Sequence, residues 1–429
     1  MILEKIYNAT VKESLYFGVH KSGLKVYVMP KAGYSKSYAV FGTHFGSIDR
    51  KFLVPGEKSF TEIPDGVAHF LEHKLFEQPD GGNVFESYAK HGANANAYTS
   101  FNLTAYLFES TQDILENLGI LIDFVRTPYF TDENVAKEQG IIGQEIGMYD
   151  DDPDWRLMMN FLSSMYKVHP VRRDIAGTVE TISEITKDTL YKCYNTFYNL
   201  SNMVLFVVGD VSPDKIAECV EEHIKENAPF SEEIKRDYGN EDASVLNAEV
   251  SGKLSVSVPM FMFGFKDTAC GYDGKELLKK NIELSILAEI LFGKSGKLYN
   301  ELYSGGYILG DLGVEVDCEK DYGFTVLSGE SNKPSEVKKV VLDYLSGAAN
   351  SGVDVNDFER TKKSIYGRYI KHFNNINSLA HNFMSNIFNN IGIFDFTEVI
   401  DTVTLDDINK RLKTQFAPEL SVLSVIEPI

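Results

Sequence analysis

Cysteine and tryptophan are scarce in this chain: four cysteines, Cys193, Cys219, Cys270 and Cys318, and a single Trp155. The cysteines lie far apart and form no C-x-x-C pair, so a disulfide scaffold is excluded and a reducing compartment is the simpler expectation. Basic residues are outnumbered, 42 Lys and Arg against 62 Asp and Glu, a formal charge of −20. That balance argues against a nucleic-acid partner, because binding phosphates requires a basic surface. Long apolar runs are missing as well. Nothing approaches the roughly 18 residues of a membrane span, and residues 1–7 lack the apolar core of a signal peptide. A soluble, cytoplasmic protein without membrane contacts is expected. What is present is globular in character, 43% hydrophobic and 24% charged over 429 residues, which is enough for two or more domains.

The chemistry concentrates in His69-Phe70-Leu71-Glu72-His73. Residues four apart on a helix stand one turn above each other, so His69 and His73 can share one Zn²⁺ at about 2.0–2.1 Å from each ring nitrogen. Glu72 sits beside the pair, free to act as a base rather than a ligand. H-x-x-E-H is the reverse of the commoner H-E-x-x-H and reads as an inverzincin signature. The apolar positions Val67, Phe70, Leu71 and Leu75 recur at helical spacing, which predicts a helix carrying the motif.

Strand-like runs at 24–29 and 37–45 precede that helix, and Gly81-Gly82 ends it. Two more strands follow at 94–100 and 103–109, then helices near 111–126, 131–150, 154–166 and 183–198, and a strand at 203–208. The second half repeats this order. Strands at 253–258 and 260–265 are followed by a helix at 275–292, strands at 308–317 and 321–328, and helices at 334–348 and 354–390. The pattern predicts two copies of one α+β unit: residues 1–228 with the metal motif and residues 246–429 without it, joined by a polar linker at 229–245. Laying Leu75-Phe76 on Leu291-Phe292 puts Ser285 opposite His69 and Glu289 opposite His73, so the second copy cannot bind the metal in the same way.

Catalytic zinc takes three protein ligands and keeps one position for water. The helix at 131–150 offers Glu138 and Glu145, which share one face because they are seven apart. With these residues the chain resembles the pitrilysin/insulinase zinc metallopeptidases, of the half-length type similar to the mitochondrial processing peptidase β subunit and nearest their bacterial, YmfH-like branch. The resemblance implies the LuxS/mitochondrial-processing-peptidase-like metallohydrolase fold, with two homologous α+β domains, each a mainly antiparallel sheet packed against helices. It implies that Glu145 completes a site for one Zn²⁺ per chain, that Glu138 orients that site, and that Glu72 is the general base. The stretch Gly92-Ala93-Asn94-Ala95-Asn96-Ala97-Tyr98-Thr99-Ser100 is similar to the family's edge strand. This similarity implies that Asn96, Ala97, Tyr98 and Thr99 receive a peptide substrate by strand addition.

The family closes two such halves into a clam-shell chamber, so a dimer is implied. An arginine and a tyrosine from the opposite half are expected over the metal. Here Tyr303 stands where the arginine belongs, Tyr307 is the candidate for the tyrosine, and there is no arginine between Arg236 and Arg360. A homologous partner chain lacking the zinc motif is therefore expected to supply those groups, a homodimer being the other option. The competing function is a non-catalytic structural or regulatory subunit of a heterodimeric complex. His91, His169 and Trp155 read as structural residues.

Overall fold

In the computed structural model, residues 1–79, 81, 82, 84–225, 229, 230 and 232–429 are described. Ser231 of the expected linker, and 226–228 at the end of the first expected repeat, lie outside the described residues. The first repeat runs β1 Glu4–Asn8, β2 Glu13–Val19, β3 Lys25–Pro30, β4 Ser37–Thr43, β5 Lys51–Leu53, β6 Thr61–Glu62, α1 Val67–Leu75, α2 Val84–Lys90, β7 Ala93–Thr99 and β8 Thr104–Ser110. It continues through α3 Ile114–Val125, α4 Asp132–Asp150, α5 Pro153–Met165, α6 Val179–Ser183, α7 Lys187–Phe197, β9 Met203–Gly209 and α8 Pro213–His223. After the short β10 Lys235–Arg236 come β11 Glu249–Leu254, β12 Met260–Lys266, α9 Gly274–Phe292, α10 Lys297–Ser304, β13 Gly313–Cys318 and β14 Gly323–Glu330. The chain closes with α11 Pro334–Ser351, α12 Val355–His372, α13 Ile376–Ile387, α14 Asp395–Thr402, α15 Leu405–Gln415 and β15 Ser421–Pro428.

Two large sheets organise most of these elements, with strand orders β1-β2-β3-β9-β4-β8-β7 and β11-β15-β12-β14-β13, and a small third sheet has the order β10-β5-β6. In each large sheet, the last strand of the repeat (β9 or β15) slots in parallel to one strand (β3 or β11) and antiparallel to the one that follows it in the chain (β4 or β12). All other neighbours in the two sheets are antiparallel. Without the extra β1 and β2, the two orders are identical. The repeat expected from the sequence is therefore present as topology: the chain is a two-domain α+β protein. The central strands β4 and β9 are buried along their whole length, which is why they read as continuous apolar runs rather than alternating ones.

The compact units cut across the chain halves. One comprises residues 1–146, 174–238 and 372–388; the other 147–173, 239–371 and 389–429. Thus α13 belongs with the first sheet and α5 with the second. The reason lies in their apolar faces. In α13, Ile376, Leu379, Ala380, Phe383 and Met384 are buried, and Phe383 stacks on Phe206 of β9 with ring centroids 4.4 Å apart. In α5, Phe161 meets Phe324 edge-on at 5.9 Å, and Ser424 Oγ of β15 donates to Leu157 O at 3.0 Å. One glycine in each sheet occupies the matching register beneath these helices: Gly42 opposite Val204, and Gly264 opposite Val422.

Two expectations are corrected. The helix read over 354–390 is two helices, because Asn375 caps α13 by accepting from Ser378 N at 2.9 Å, and Phe373 is buried at the break. The opening strand read at 253–258 ends at Leu254, where Val256 N turns back to bond Leu254 O at 2.8 Å. Among the described residues, no helix is long and apolar enough to cross a membrane.

The two glycines should respond differently to a methyl group. At Gly264 a Cβ would lie 2.5 Å from Thr325 O and 2.9 Å from Phe161 Cζ, so backbone has to move. At Gly42 the one close clash is with the flexible end of Met384, Phe388 being at an ordinary 3.8 Å. Gly264→Ala is expected to cost about 1–3 kcal/mol and Gly42→Ala clearly less, read from guanidinium midpoints. Equal costs would mean that the second sheet yields freely at that strand.

Candidate metal centre

Helix α1 forms where the apolar period places it, with Val67, Phe70, Leu71 and Leu75 buried. That packing leaves His69 and His73 on a shared side, their rings edge-on with centroids 4.6 Å apart. Helix α4 faces them. Glu145 brings Oε1 to 3.7 Å from His69 Nε2 and Oε2 to 3.4 Å from His73 Nε2. Donor atoms of His69, His73 and Glu145 all lie within 4.8 Å of one another. Among the described residues, no other group of three or more His, Cys, Asp and Glu side chains meets that condition. Tetrahedral zinc with bonds of about 2.0–2.2 Å sets its ligand atoms roughly 3.3 Å apart, so the spacing and the N, N, O donor set fit that ion.

The surroundings prepare each group differently. Burial pushes the His69 imidazole down to about 4, with the neighbouring His73 acting in the same direction, so this ring is neutral at pH 7. Its Nδ1 is buried and has no hydrogen-bond partner among the described residues. For His73, burial also pulls downward, but the hydrogen bond to Glu138 and the charges of Glu72 and Glu145 outweigh it and raise the ring above its usual value. Glu138 Oε1 lies 3.1 Å from His73 Nδ1, which turns His73 Nε2 toward Glu145. Burial of Glu138 is outweighed by that bond, by the His73 charge and by Lys74, and its carboxyl is held below the ordinary range. Glu72 is raised by burial, against the opposing hydrogen bond from Thr99 Oγ1 to Glu72 Oε2 at 2.6 Å.

The remaining expected site residues are not all brought together. Strand β7 is the outer strand of its sheet, and among the described residues it pairs only with β8. Asn96 is exposed and accepts from Ala97 N at 2.9 Å; Tyr98 is half-buried, its ring centroid 5.1 Å from that of His381. The Thr99 side chain is turned to Glu72, a role that needs the fold to be seen. Tyr307 belongs to the other compact unit, packed against its core with Lys333 Nζ 5.8 Å from the ring. On α9, Glu289 pairs with Arg368 at 3.2 Å. His91 bonds Asp113 at 3.2 Å just beyond α2, His169 is buried, and Trp155 lies beside Tyr149 with centroids 5.2 Å apart.

Comparison with known proteins identifies the family. Residues 59–179 match the family model for insulinase (peptidase family M16), and residues 184–365 match the peptidase M16 inactive domain. The chain is 43% identical, over 99% of its own length and 99% of the other, to a protein of Bacillus subtilis named uncharacterized zinc protease YmfH. The chain belongs to the M16, or insulinase, peptidase family. A putative M16-like peptidase from Alicyclobacillus acidocaldarius superimposes with a TM-score of 0.92 at 35% identity, covering 100% of this chain and 99% of that one. Pitrilysin shares the fold, with a TM-score of 0.78 at 14% identity, and here the chain spans only 46% of the longer protein. It is a half-length member of the family.

One side chain escaped the reading of the sequence altogether. Lys74, directly after His73, is fully buried between α1 and α4. The available signal was a lysine among Leu71, Leu75 and Phe76 with Glu77 three residues on.

The low affinity of His69 for protons has a sign that can be checked. In the unfolded chain the ring protonates near 6.5, in the folded chain only near 4. Metal-free protein should therefore lose stability as pH falls from about 6.5 toward 4, by roughly 1–2 kcal/mol between pH 7 and pH 5. Denaturant melts of His69→Gln at the two pH values should show a smaller loss than wild type. An identical loss in both proteins would mean that His69 is not held neutral by burial.

Proposed function

We propose that this chain is a zinc-dependent endopeptidase that hydrolyses extended peptides, with His69, His73 and Glu145 holding one ion and Glu72 as general base. The observation that carries the reading is the convergence of two imidazoles from α1 and a carboxylate from α4 beside a half-buried carboxylate that is not needed as a ligand. When bound there, zinc would supply a Lewis acid and a water acidic enough to be deprotonated near neutral pH.

The chain's own groups do the rest. Glu72 takes the proton from the water that attacks the scissile carbonyl and then delivers it to the leaving amine nitrogen. Thr99 engages Oε2 of Glu72 and leaves Oε1 for that exchange. Glu138 keeps His73 in the tautomer whose Nε2 lone pair faces inward. The free edge of β7, at Asn96 to Thr99, presents main-chain donors and acceptors to an extended peptide and gives affinity with little sequence preference. A second half-length chain completing a clam-shell chamber belongs to the same proposal. It is supported by the 46% coverage of pitrilysin and by the absence of an arginine near Tyr303. That partner, a homologue or a second copy, would bring the group that stabilises the oxyanion, with Tyr307 as this chain's own candidate. A reducing, cytoplasmic setting is also proposed, on the strength of four free cysteines.

Glu72→Gln should retain one zinc per chain while turnover of an oligopeptide falls about 10²–10⁴-fold; His69→Ala should lose the metal as well. Full activity in the Glu72→Gln protein would refute the assignment of the base. Light scattering of protein isolated from its native host should give at least twice 48.2 kDa. A 48.2 kDa monomer that cleaves peptides at the full rate would remove the need for a partner.

A further inference from the structure

Lys74 follows the second histidine of the motif, yet its side chain is wholly enclosed. A buried ammonium is tolerated only where carboxylates and carbonyls replace its water shell. Here the replacements are the carboxylate of Glu77 on the same chain segment, the carbonyl oxygen of Asn134 at 3.4 Å, and Glu138 Oε2 at 3.9 Å. Asn134 and Glu138 lie four apart on α4 and Glu145 seven further on, so all three share the face turned to α1. Glu138 meanwhile spends its other oxygen on His73 Nδ1 at 3.1 Å, and His73 Nε2 faces Glu145 at 3.4 Å. A continuous line runs from ammonium to carboxylate to imidazole to the donor cluster.

Resting on the zinc reading above, we propose that Lys74 is a positioning residue for the metal centre, anchoring Glu138 so that His73 presents Nε2 to the ion and tying α1 to α4. An apolar side chain of similar length would fill the same space. It would also remove the ammonium behind Glu138 and leave that carboxylate free to turn away, which releases the His73 ring. Lys74 thus acts through Glu138 and touches neither metal nor substrate. A lysine that merely stabilised the core would affect folding without regard to whether a carboxylate stands at position 138.

The test is a thermodynamic cycle in zinc affinity, measured by competition with a fluorescent chelator on full-length wild type, Lys74→Met, Glu138→Gln and the double variant. Melting of the zinc-free forms is followed separately. Lys74→Met should weaken zinc about tenfold, within the range for groups that orient metal ligands. In the Glu138→Gln background the same substitution should change affinity less than about twofold, because the group it acts through is already gone. Unchanged zinc affinity in Lys74→Met, or an undiminished tenfold loss in the Glu138→Gln background, overturns the proposal. If Lys74→Met does not fold, Lys74→Gln, which keeps a donor for Asn134 O, takes its place in the cycle with the same two criteria. Wild type that binds no zinc would overturn the function proposed above. Zinc-loaded wild type with an insensitive Lys74 variant overturns only the role of Lys74.

Discussion

The site depends on one clasp, the hydrogen bond between His73 Nδ1 and Glu138 that joins α1 to α4. Each helix alone carries an incomplete donor set, two imidazoles on one and a carboxylate on the other. Only when the helices are held at a fixed spacing do Nε2 of both rings come within 3.4–3.7 Å of Glu145. Such convergence is unfavourable by itself, since buried carboxylates repel and desolvated imidazoles resist charging. The clasp offsets this by placing a donor on Glu138, and Lys74 adds a counter-charge on the far side of the same carboxylate. The candidate metal site is thus an electrostatic arrangement before any ion is bound.

The second repeat shows that the fold does not by itself carry this arrangement. Apart from β1 and β2 its sheet has the same strand order as the first, and α9 follows β12 much as α1 follows β4 after the short β5 and β6. On the aligned positions stand Ser285 and Glu289, the latter paired with Arg368. Most of α9 is committed to packing instead, with Leu277, Ile282, Leu284, Ile286, Leu287 and Leu291 buried. A shared strand order therefore carries the donor cluster in one place and a packed helix in the other, and the difference rests on a few side chains.

How much of this could be read from the chain follows from the range of each interaction. Helix α1 was legible because its apolar period acts within a few residues, and Glu138 and Glu145 fall on one face of α4 by spacing alone. The repeat was legible because each strand of the second sheet has a counterpart in order. The break at 373–375 was not, since Lys371-His372-Phe373-Asn374-Asn375 contains no proline or glycine and the helical pattern resumes beyond it. What ends α12 there is tertiary: α13 has an apolar face that finds β4 and β9, and Asn375 caps it only once that face is placed. The β1–β2 hairpin was missed for the opposite reason, because β1 is exposed along nearly its whole length and leaves no buried stripe to recognise. Thr99 and Lys74 depend on contacts 27 and 60 residues away, which no local pattern reports.

The division of labour proposed among the carboxylates follows from their surroundings. Glu72 is enclosed and receives a single hydrogen bond from a neutral hydroxyl, so burial prevails and its proton affinity rises. Glu138 is also enclosed but receives a bond from an imidazole and faces an ammonium, so its proton affinity falls. A group that must accept and return a proton needs the first environment. A group that must remain an acceptor through every step needs the second. Exchanging the two would place a reluctant base at the water and an easily protonated anchor behind His73, and the cluster would lose both functions while keeping the same residues.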